Sequence, residues 1–323
     1  MNDDEVIAQF NPFYADLGGA DEFPAARPLL AHYTSLATLE KILATDEVWF
    51  SNPLLMNDFE ELRFGMISAA GLIRESAGIR DACGSSDRAN LFLESFEAYF
   101  KQFENEHAFD TYVLCLSEHD PDDFDGVLSM WRGYGGNGSG IAVVIDTKQF
   151  NTVDASPLIV AKVRYGSTQE RLDQLTSLLA LFSDILGTAR ISDEKLYVAA
   201  YLLFERVKLF ALYSKHRGFQ EEEEWRIVAD PQRDTAKRLA SMLHYAIGPR
   251  GAEPKLRMRI APIDGLSHAD HEMSLEKVIE RIILGPTASS PMAKKAVLRM
   301  LEKLKKSSLV GRVHASTIPF RSA

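Results

Sequence analysis

The sequence predicts an α+β protein. Short strand-like stretches occur in the N-terminal, middle and C-terminal thirds of the chain, and two long blocks, near 62–110 and 168–214, carry helical patterns. No clean linker divides the chain, and it contains no internal repeat. The simplest interpretation is a single domain, residues 27–323, with two helical insertions. Residues 1–26, punctuated by glycine and proline, are expected to form a loosely ordered N-terminal arm.

The individual elements follow from the spacing of apolar residues, which has period two in strands and a period near 3.6 in helices. Predicted strands are 29–34, 47–52, 111–117, 141–146, 158–165, a stretch from about 222, 255–260, 278–285 and 310–317. Predicted helices are 36–44, one turn at 129–134, 168–187, 193–214, a piece near 235–247 and 291–306, besides the block 62–110. In the first strand, alternation places His32 and Thr34 on one face and Tyr33 on the other.

Composition narrows the class of protein. The 323 residues are 46% apolar and 25% charged, which is ordinary for a globular protein, and the net charge is −10. Such an acidic chain argues against broad nonspecific nucleic-acid binding, although a local patch around Lys208, Lys215 and Arg217 keeps a nucleic-acid partner open. Two cysteines, an acidic N-terminus and the lack of a membrane-length apolar run together predict a cytoplasmic protein with no membrane contact.

Four consecutive glutamates run directly into a strand-forming stretch. If the strand starts near Glu222, Trp225 and Ile227 share the face toward the core. Glu222, Glu224 and Arg226 then share the opposite face, where two carboxylates at i and i+2 lie roughly 7 Å apart. Two interpretations stay open: the floor of a polar cleft, or a solvated acidic loop that enters an edge strand.

Other constellations give weaker signals. The glycine-rich segment 135–140 does not follow a strand or open a helix, so it is expected to be a tight turn rather than a phosphate loop. His268 and His271, with Asp270 between them, lack the further ligands of a metal site, and no metal is predicted. His32 by itself fits either a core histidine bonded to a carbonyl or a ligand-binding residue. Helical spacing would place the rings at 131 and 134 on one side.

The motifs combine into a family resemblance. Their order resembles domain of unknown function 2971, a bacterial family, over about residues 29–320. The matching stretches are 32–35 (HYTS), 50–53 (FSNP), 57–60 (NDFE), 115–117 (CLS), 130–134 (MWRGY), 140–141 (GI), 222–226 (EEEWR) and 282–285 (IILG). The stretch at 57–60 lacks the proline expected after Asp58, and the helical insertions are longer than usual.

This family resembles a remote branch of the ADP-ribosyltransferase fold, which implies a split β-sheet core that binds NAD as a substrate. The resemblance implies catalytic roles for Glu224, Glu222 and Tyr134, with Ser117 competing for the middle-segment position. It further implies NAD-binding roles for His32, Tyr33, Thr34, Ser51, Asn52, Ser117, Trp131, Arg132 and Arg226. His32 would hold the adenosine-side ribose, Tyr134 would stack on nicotinamide with Trp131 behind it, and Arg132 or Arg226 would meet the pyrophosphate.

The implied function is transfer of ADP-ribose to a protein or nucleic-acid acceptor, compatible with a bacterial toxin or phage-defence effector. Three alternatives remain open. An RNA 2′-phosphotransferase would use the same fold and NAD, but its arginine-rich site is not evident. A metal-assisted nucleotide hydrolase would use the acids of the same cleft, and a non-catalytic nucleotide sensor would tolerate loss of Glu224. The acceptor and the oligomeric state stay undefined by the sequence.

Overall fold

A computed structural model describes residues 2–17, 19–55, 59–150, 156–248, 251–263 and 273–320, with the backbone alone at 59–61. It confirms that the chain mixes helices with a mixed β-sheet, as the α+β class requires. The chain separates into two compact units. Unit 1 comprises Met1–Glu22, Pro53–Thr111 and Val163–Gln220, and unit 2 comprises Phe23–Asn52, Tyr112–Lys162 and Glu221–Ala323. The single-domain description of the chain stays a prediction.

The elements are numbered in chain order. The strands are β1 (Leu29–Thr34), β2 (Glu47–Ser51), β3 (Tyr112–His119), β4 (Ile141–Asp146), β5 (Leu158–Lys162), β6 (Arg164–Gly166), β7 (Ser214–His216), β8 (Glu224–Ala229), β9 (Leu243–Gly248), β10 (Gly251–Arg259), β11 (Ile279–Leu284) and β12 (Val313–Ala315). The helices are α1 (Asp3–Gln9), α2 (Leu36–Thr45), α3 (Phe59–Glu75), α4 (Ala77–Cys83), α5 (Ser86–Gln102), α6 (Ala108–Asp110), α7 (Leu128–Gly133), α8 (Thr168–Thr188), α9 (Leu196–Tyr213), α10 (Leu275–Val278) and α11 (Pro291–Lys303).

Unit 1 is a helical assembly in which α9 packs against α1, α3 and α5, and α8 packs against α4. Its centre is a cluster of phenylalanines, with Phe182 stacked on Phe10 at 5.3 Å between ring centroids. Within the described residues, the two short strands β6 and β7 form a separate parallel pair. The two predicted helical insertions are therefore helical as expected, with a break at Gly84, where the backbone is left-handed.

The expectation of a loosely ordered N-terminal arm is wrong. Asn2 and Glu5 form a capping box that starts α1, and a 3₁₀ helix, Asn11–Leu17, follows it. Phe10 and Phe13 are fully buried within unit 1. The glycines and prolines of this segment suggested irregular chain, but burial of two aromatic rings outweighs that local preference.

The expected basic patch also differs. Lys208 and Lys215 are buried, so they form no exposed surface for nucleic acid. The Lys208 ammonium lies 2.7 Å from Glu205, and the Lys215 ammonium lies 4.7 Å from the centre of the Phe219 ring. Arg217 alone stays exposed. Among the residues that the structure describes, no helix is long and apolar enough to cross a membrane.

Unit 2 is built on one mixed sheet, with strand order β12-β11-β4-β1-β3-β2-β10-β9. β8 pairs with β3 and in turn with β5. One face of this sheet carries the larger core, which α2, α10 and α11 cover. The other face carries a smaller core of Ala31, Tyr33, Ala142, Val144 and Ile283, covered by α7.

A split in this sheet occurs along β3. β8 pairs with β3 from Tyr112 to Ser117, so β1 and β2 share the opposite edge of β3. β1 pairs there with 117–119, while β2 pairs only at Val113. The register with β1 stops at Ser117 and the register with β2 covers only Val113, so neither strand extends along residues 114–116 of this edge. The sheet is therefore divided where β1 and β2 diverge, which positions the residues discussed below.

The prediction of a helix near 235–247 is wrong. A short 3₁₀ helix, Leu239–Met242, is followed by β9, whose apolar side chains alternate at 243, 245 and 247. Period two, rather than helical spacing, is the correct pattern here, and pairing with β10 stabilises the strand.

Candidate functional site

The acidic segment before β8 does not form the strand that was expected from Glu222. Residues Arg217–Glu222 form a 3₁₀ helix, and Glu223 has a positive φ of 39° that interrupts the extended chain. β8 therefore begins at Glu224, and Glu222 lies outside its alternation of faces. The Glu223 carbonyl still accepts a hydrogen bond from the Glu118 amide at 2.9 Å.

Within β8 the predicted faces are confirmed. Trp225 is buried in the larger core, while Glu224 and Arg226 are buried on the other face. The Arg226 guanidinium donates from Nε to Glu224 Oε1 at 2.7 Å and from a second nitrogen to Oε2 at 3.1 Å. Ser117, also buried, stands opposite Glu224 in the register of β3 and β8. The strand thus presents a paired carboxylate and guanidinium beside a serine.

A second acid supports the start of β8 from its core side. Glu118 accepts a hydrogen bond from the Trp225 indole at 2.9 Å and forms an ion pair with Lys162 at 2.5 Å. Burial alone would raise the pKa of Glu118, but these two partners outweigh it and hold the pKa below its ordinary value. The anionic form of Glu118 therefore anchors Trp225.

Tyr134 and Glu222 meet at a more exposed position. The Tyr134 hydroxyl donates a hydrogen bond of 2.8 Å to Glu222 Oε1, and 43% of the tyrosine is exposed. Glu222 precedes Glu224 by two residues in the chain, with the left-handed backbone of Glu223 between them. The structure therefore joins two of the three residues to which the resemblance gives catalytic roles, Tyr134 and Glu222, by a hydrogen bond.

Trp131 and Tyr134 do not share one environment, because the tryptophan is fully buried and 43% of the tyrosine is exposed. α7 ends at Gly133, and Tyr134 leaves helical geometry with φ −125° and ψ −23°, so helical spacing no longer applies. Trp131 is fully buried, and its indole donates to the Asp125 carbonyl at 2.9 Å. Arg132 is exposed, and its guanidinium lies 5.4 Å from the centre of the Phe320 ring.

Tyr33 is a second predicted ligand residue that is buried instead. Its hydroxyl accepts a hydrogen bond from the Val127 amide at 2.9 Å, and its ring meets Trp131 edge to face at 4.8 Å. Burial, the largest cause, raises the pKa of Tyr33 to about 12. The burial of both rings favours a packing role that fixes α7, rather than contact with a ligand.

The glycine-rich segment 135–140 is a tight turn, as expected. The Gly140 amide donates to the Gly135 carbonyl at 2.8 Å, and the Gly138 amide donates to the carbonyls of Trp131 and Gly135. These amides are used inside the turn and are not directed toward a ligand. A side chain at Gly140 would meet the Thr34 carbonyl at 2.3 Å, so only glycine fits there.

His32 lies on a different face from Glu224. Ala31 pairs with Ser117, and Ser117 pairs with Glu224, so these three residues share a face and His32 points to the opposite one. His32 Nδ1 lies 3.4 Å from the Cys115 carbonyl, at the split edge of β3. Burial lowers the pKa of His32. The structure thus favours the core histidine bonded to a carbonyl, and it places Thr34 on the same face as His32.

Ser51 and Asn52 lie at the end of β2. Ser51 pairs with Val113, which alternation puts on the same face as Ser117, so Ser51 shares the face of the Glu224–Arg226 pair. Asn52 is buried. Sequence reasoning missed Lys255, whose ammonium donates to Ser51 Oγ at 3.0 Å. The predicted strand 255–260 was visible in the sequence, but its pairing with β2 was not.

Some predicted features are outside the described residues or have no counterpart in them. Asn57 and Asp58 of the 57–60 motif, and the candidate cluster of His268, Asp270 and His271, lie outside the described residues. Within the part of the chain that is described, no group of three or more histidine, cysteine, aspartate or glutamate side chains is arranged to hold a metal ion.

Fold and site together define an α+β protein with an acidic, arginine-paired site at the start of a central strand. Residues 130–227 match the family described as protein of unknown function (DUF2971), which confirms the family resemblance over this segment. The segment contains Tyr134, Glu222, Glu224 and Arg226. No curated protein and no solved structure matches the chain. The likeness to ADP-ribosyltransferases stays a prediction.

Proposed function

We propose that this protein transfers ADP-ribose from NAD to a protein or nucleic-acid acceptor. The observation that supports the proposal is the hydrogen bond of Tyr134 to Glu222, two residues before Glu224, whose buried carboxylate is oriented by Arg226. An exposed aromatic ring, an accessible carboxylate and a preoriented carboxylate suit the binding and cleavage of a nucleotide glycosidic bond.

In the proposed reaction, the bond between nicotinamide N1 and ribose C1′ breaks, and its electron pair stays on the nicotinamide nitrogen. The ribose then has oxocarbenium character, which a nearby carboxylate stabilises. Glu224 would accept a hydrogen bond from the ribose 2′-hydroxyl and stabilise this positive charge. The acceptor nucleophile forms the new bond at C1′, and its proton passes to Glu222 and then to water.

The two arginines receive different roles from their surroundings. Arg226 is buried and engaged with Glu224, so its role is to orient that carboxylate. Arg132 is exposed and lies two residues before Tyr134, so it is the better partner for a pyrophosphate, whose oxygens match a planar guanidinium. Tyr134 would stack on nicotinamide while its hydroxyl positions Glu222.

Roles for His32 and Trp131 in NAD binding are not included in the proposal. His32 points to the face opposite Glu224, and Trp131 is fully buried. Both residues instead support the elements that hold the site.

The test measures nicotinamide release from NAD, with water as the default acceptor. We expect Glu224→Gln to reduce turnover by about 10²–10³-fold, because it removes a preorganised charge from the transition state. Glu221→Gln is the matched control, since Glu221 is exposed and lies next to the same segment. If wild type releases nicotinamide and Glu224→Gln releases it at the same rate, Glu224 is not the catalytic residue.

A nucleotide sensor is the second candidate, and one observation favours it. Both oxygens of Glu224 accept hydrogen bonds from Arg226, so this carboxylate has a structural role within the fold. A sensor would bind NAD, as measured by calorimetry, without releasing nicotinamide. In that case Tyr134→Ala would weaken binding, and no variant would affect turnover.

A further inference from the structure

The hairpin of β9 and β10 extends past the rest of the sheet in unit 2. β2 pairs with β10 only from Lys255 to Arg259, whereas β9 pairs with β10 as far as Gly248 and Gly251. The outer half of the hairpin is therefore a two-stranded arm. β9 is the last strand in the sheet order, and its outer edge borders no further strand in the described chain. A two-stranded arm of this kind is only marginally stable in water by itself.

One face of this arm is apolar and exposed. Leu243, Tyr245 and Ile247 are 46%, 64% and 83% exposed, and alternation puts all three on one face of β9. Their partners in β10 are Leu256, Pro254 and Ala252. β9 contains no acidic residue, lysine, arginine or proline, and its register with β10 has no bulge. Exposed edge strands are normally protected by such features, so this edge is suited to pairing with another chain.

We propose that β9 pairs antiparallel with β9 of a second copy of this chain, which joins the two sheets across a two-fold axis. A two-fold axis through Tyr245 places this residue opposite itself and Leu243 opposite Ile247 of the second copy. Because these positions are spaced by two, every apolar side chain of this face meets an apolar side chain. The free backbone amides and carbonyls of both edges become paired at the same time.

The polar face of the arm does not oppose a second copy in this register. On this face, Lys255 pairs with His244, and Glu253 pairs with Ala246. Across the two-fold axis, His244 stands opposite Ala246 of the second copy. Lys255 and Glu253 form an ion pair of 3.3 Å within one chain, so the partner strand meets no uncompensated charge.

The net charge of −10 per chain predicts how the dimer responds to salt. Two acidic chains repel each other, while the paired strands carry no formal charge. Added salt screens the repulsion and leaves the apolar contact intact, so dimerisation should become tighter as salt increases.

The first experiment determines mass in solution by light scattering over a range of protein and salt concentrations. Wild type should be dimeric, and Ile247→Lys should raise the dissociation constant by at least about 100-fold, because each dimer loses two apolar contacts. Ile67→Lys is the matched control, since Ile67 is 57% exposed on α3 of the other unit. A wild type that is monomeric throughout, or an Ile67→Lys variant that dissociates as fully as Ile247→Lys, overturns the proposal.

The second experiment tests the register. Residues directly opposite each other in antiparallel strands have Cα atoms about 4.5–5.5 Å apart, which suits a disulfide. Tyr245→Cys should therefore form a covalent dimer on oxidation. Leu243→Cys should cross-link only when mixed with Ile247→Cys. Wild type, with Cys83 and Cys115 alone, provides the background. Absence of a Tyr245→Cys dimer above that background overturns the proposed pairing.

Discussion

Replacement of Arg226 by methionine tests how strongly the buried pair supports the start of β8. The side chains of Arg226 and Glu224 are 8% and 6% exposed, and two hydrogen bonds of 2.7 and 3.1 Å join them. Removing the guanidinium leaves the Glu224 carboxylate buried without this cation, which typically costs about 3–5 kcal/mol of unfolding free energy. With an m-value near 3 kcal/mol/M, the urea midpoint should fall by about 1–1.7 M.

The assay is equilibrium unfolding in urea, followed by tryptophan fluorescence and circular dichroism. Arg257→Met is the matched control: Arg257 forms a 2.6 Å ion pair with Glu47, but those side chains are 30% and 20% exposed. A half-buried pair of this kind is worth less than the buried pair, on the order of 1 kcal/mol. A double-mutant cycle with Glu224→Gln should give a coupling energy of about 1–3 kcal/mol. If Arg226→Met shifts the midpoint no further than Arg257→Met, the importance assigned to the buried pair is refuted.

Two further predictions concern β1 and its surroundings. Gly140→Ala should destabilise the protein by at least about 1–3 kcal/mol, because the added methyl meets the Thr34 carbonyl. Gly133→Ala is the control: it has open space around it and should be neutral or stabilising. Thermal denaturation of both variants measures the difference. Burial lowers the pKa of His32, so the unfolded chain binds its proton first as the pH falls. Stability should therefore drop below about pH 6.5, by up to about 1.4 kcal/mol per pH unit. His32→Gln should reduce this dependence between pH 7 and 5 in urea unfolding, and an unchanged slope in that variant would contradict the reasoning.

Local alternation was enough to predict several strands and their faces. The bounds of β1 and β4 agree with the prediction, because both stretches alternate or run apolar between clear breaks. The opposed faces of Trp225 and Arg226 also follow from alternation alone. Local patterns of this kind need no knowledge of the partner strand.

The relation between strands could not be predicted in the same way. Alternation says which residues of β1 share a face with His32, but the register that links Ala31 to Ser117 and Glu224 depends on tertiary pairing. The break at Glu223 depends on a single positive φ, which a run of four glutamates does not reveal. The end of α7 at Gly133, after which Tyr134 leaves helical geometry, likewise gives no signal in the spacing of apolar residues.

The anchoring of α7 has a consequence for the thermodynamics of the proposed NAD binding. The contacts of Trp131 with Asp125 and of Tyr33 with Val127 fix this helix within the fold. Tyr134 follows directly from the fixed helix, and its hydroxyl is already directed at Glu222. The conformational entropy of ordering this ring is thus lost during folding, and a ligand that contacts it binds a preorganised surface.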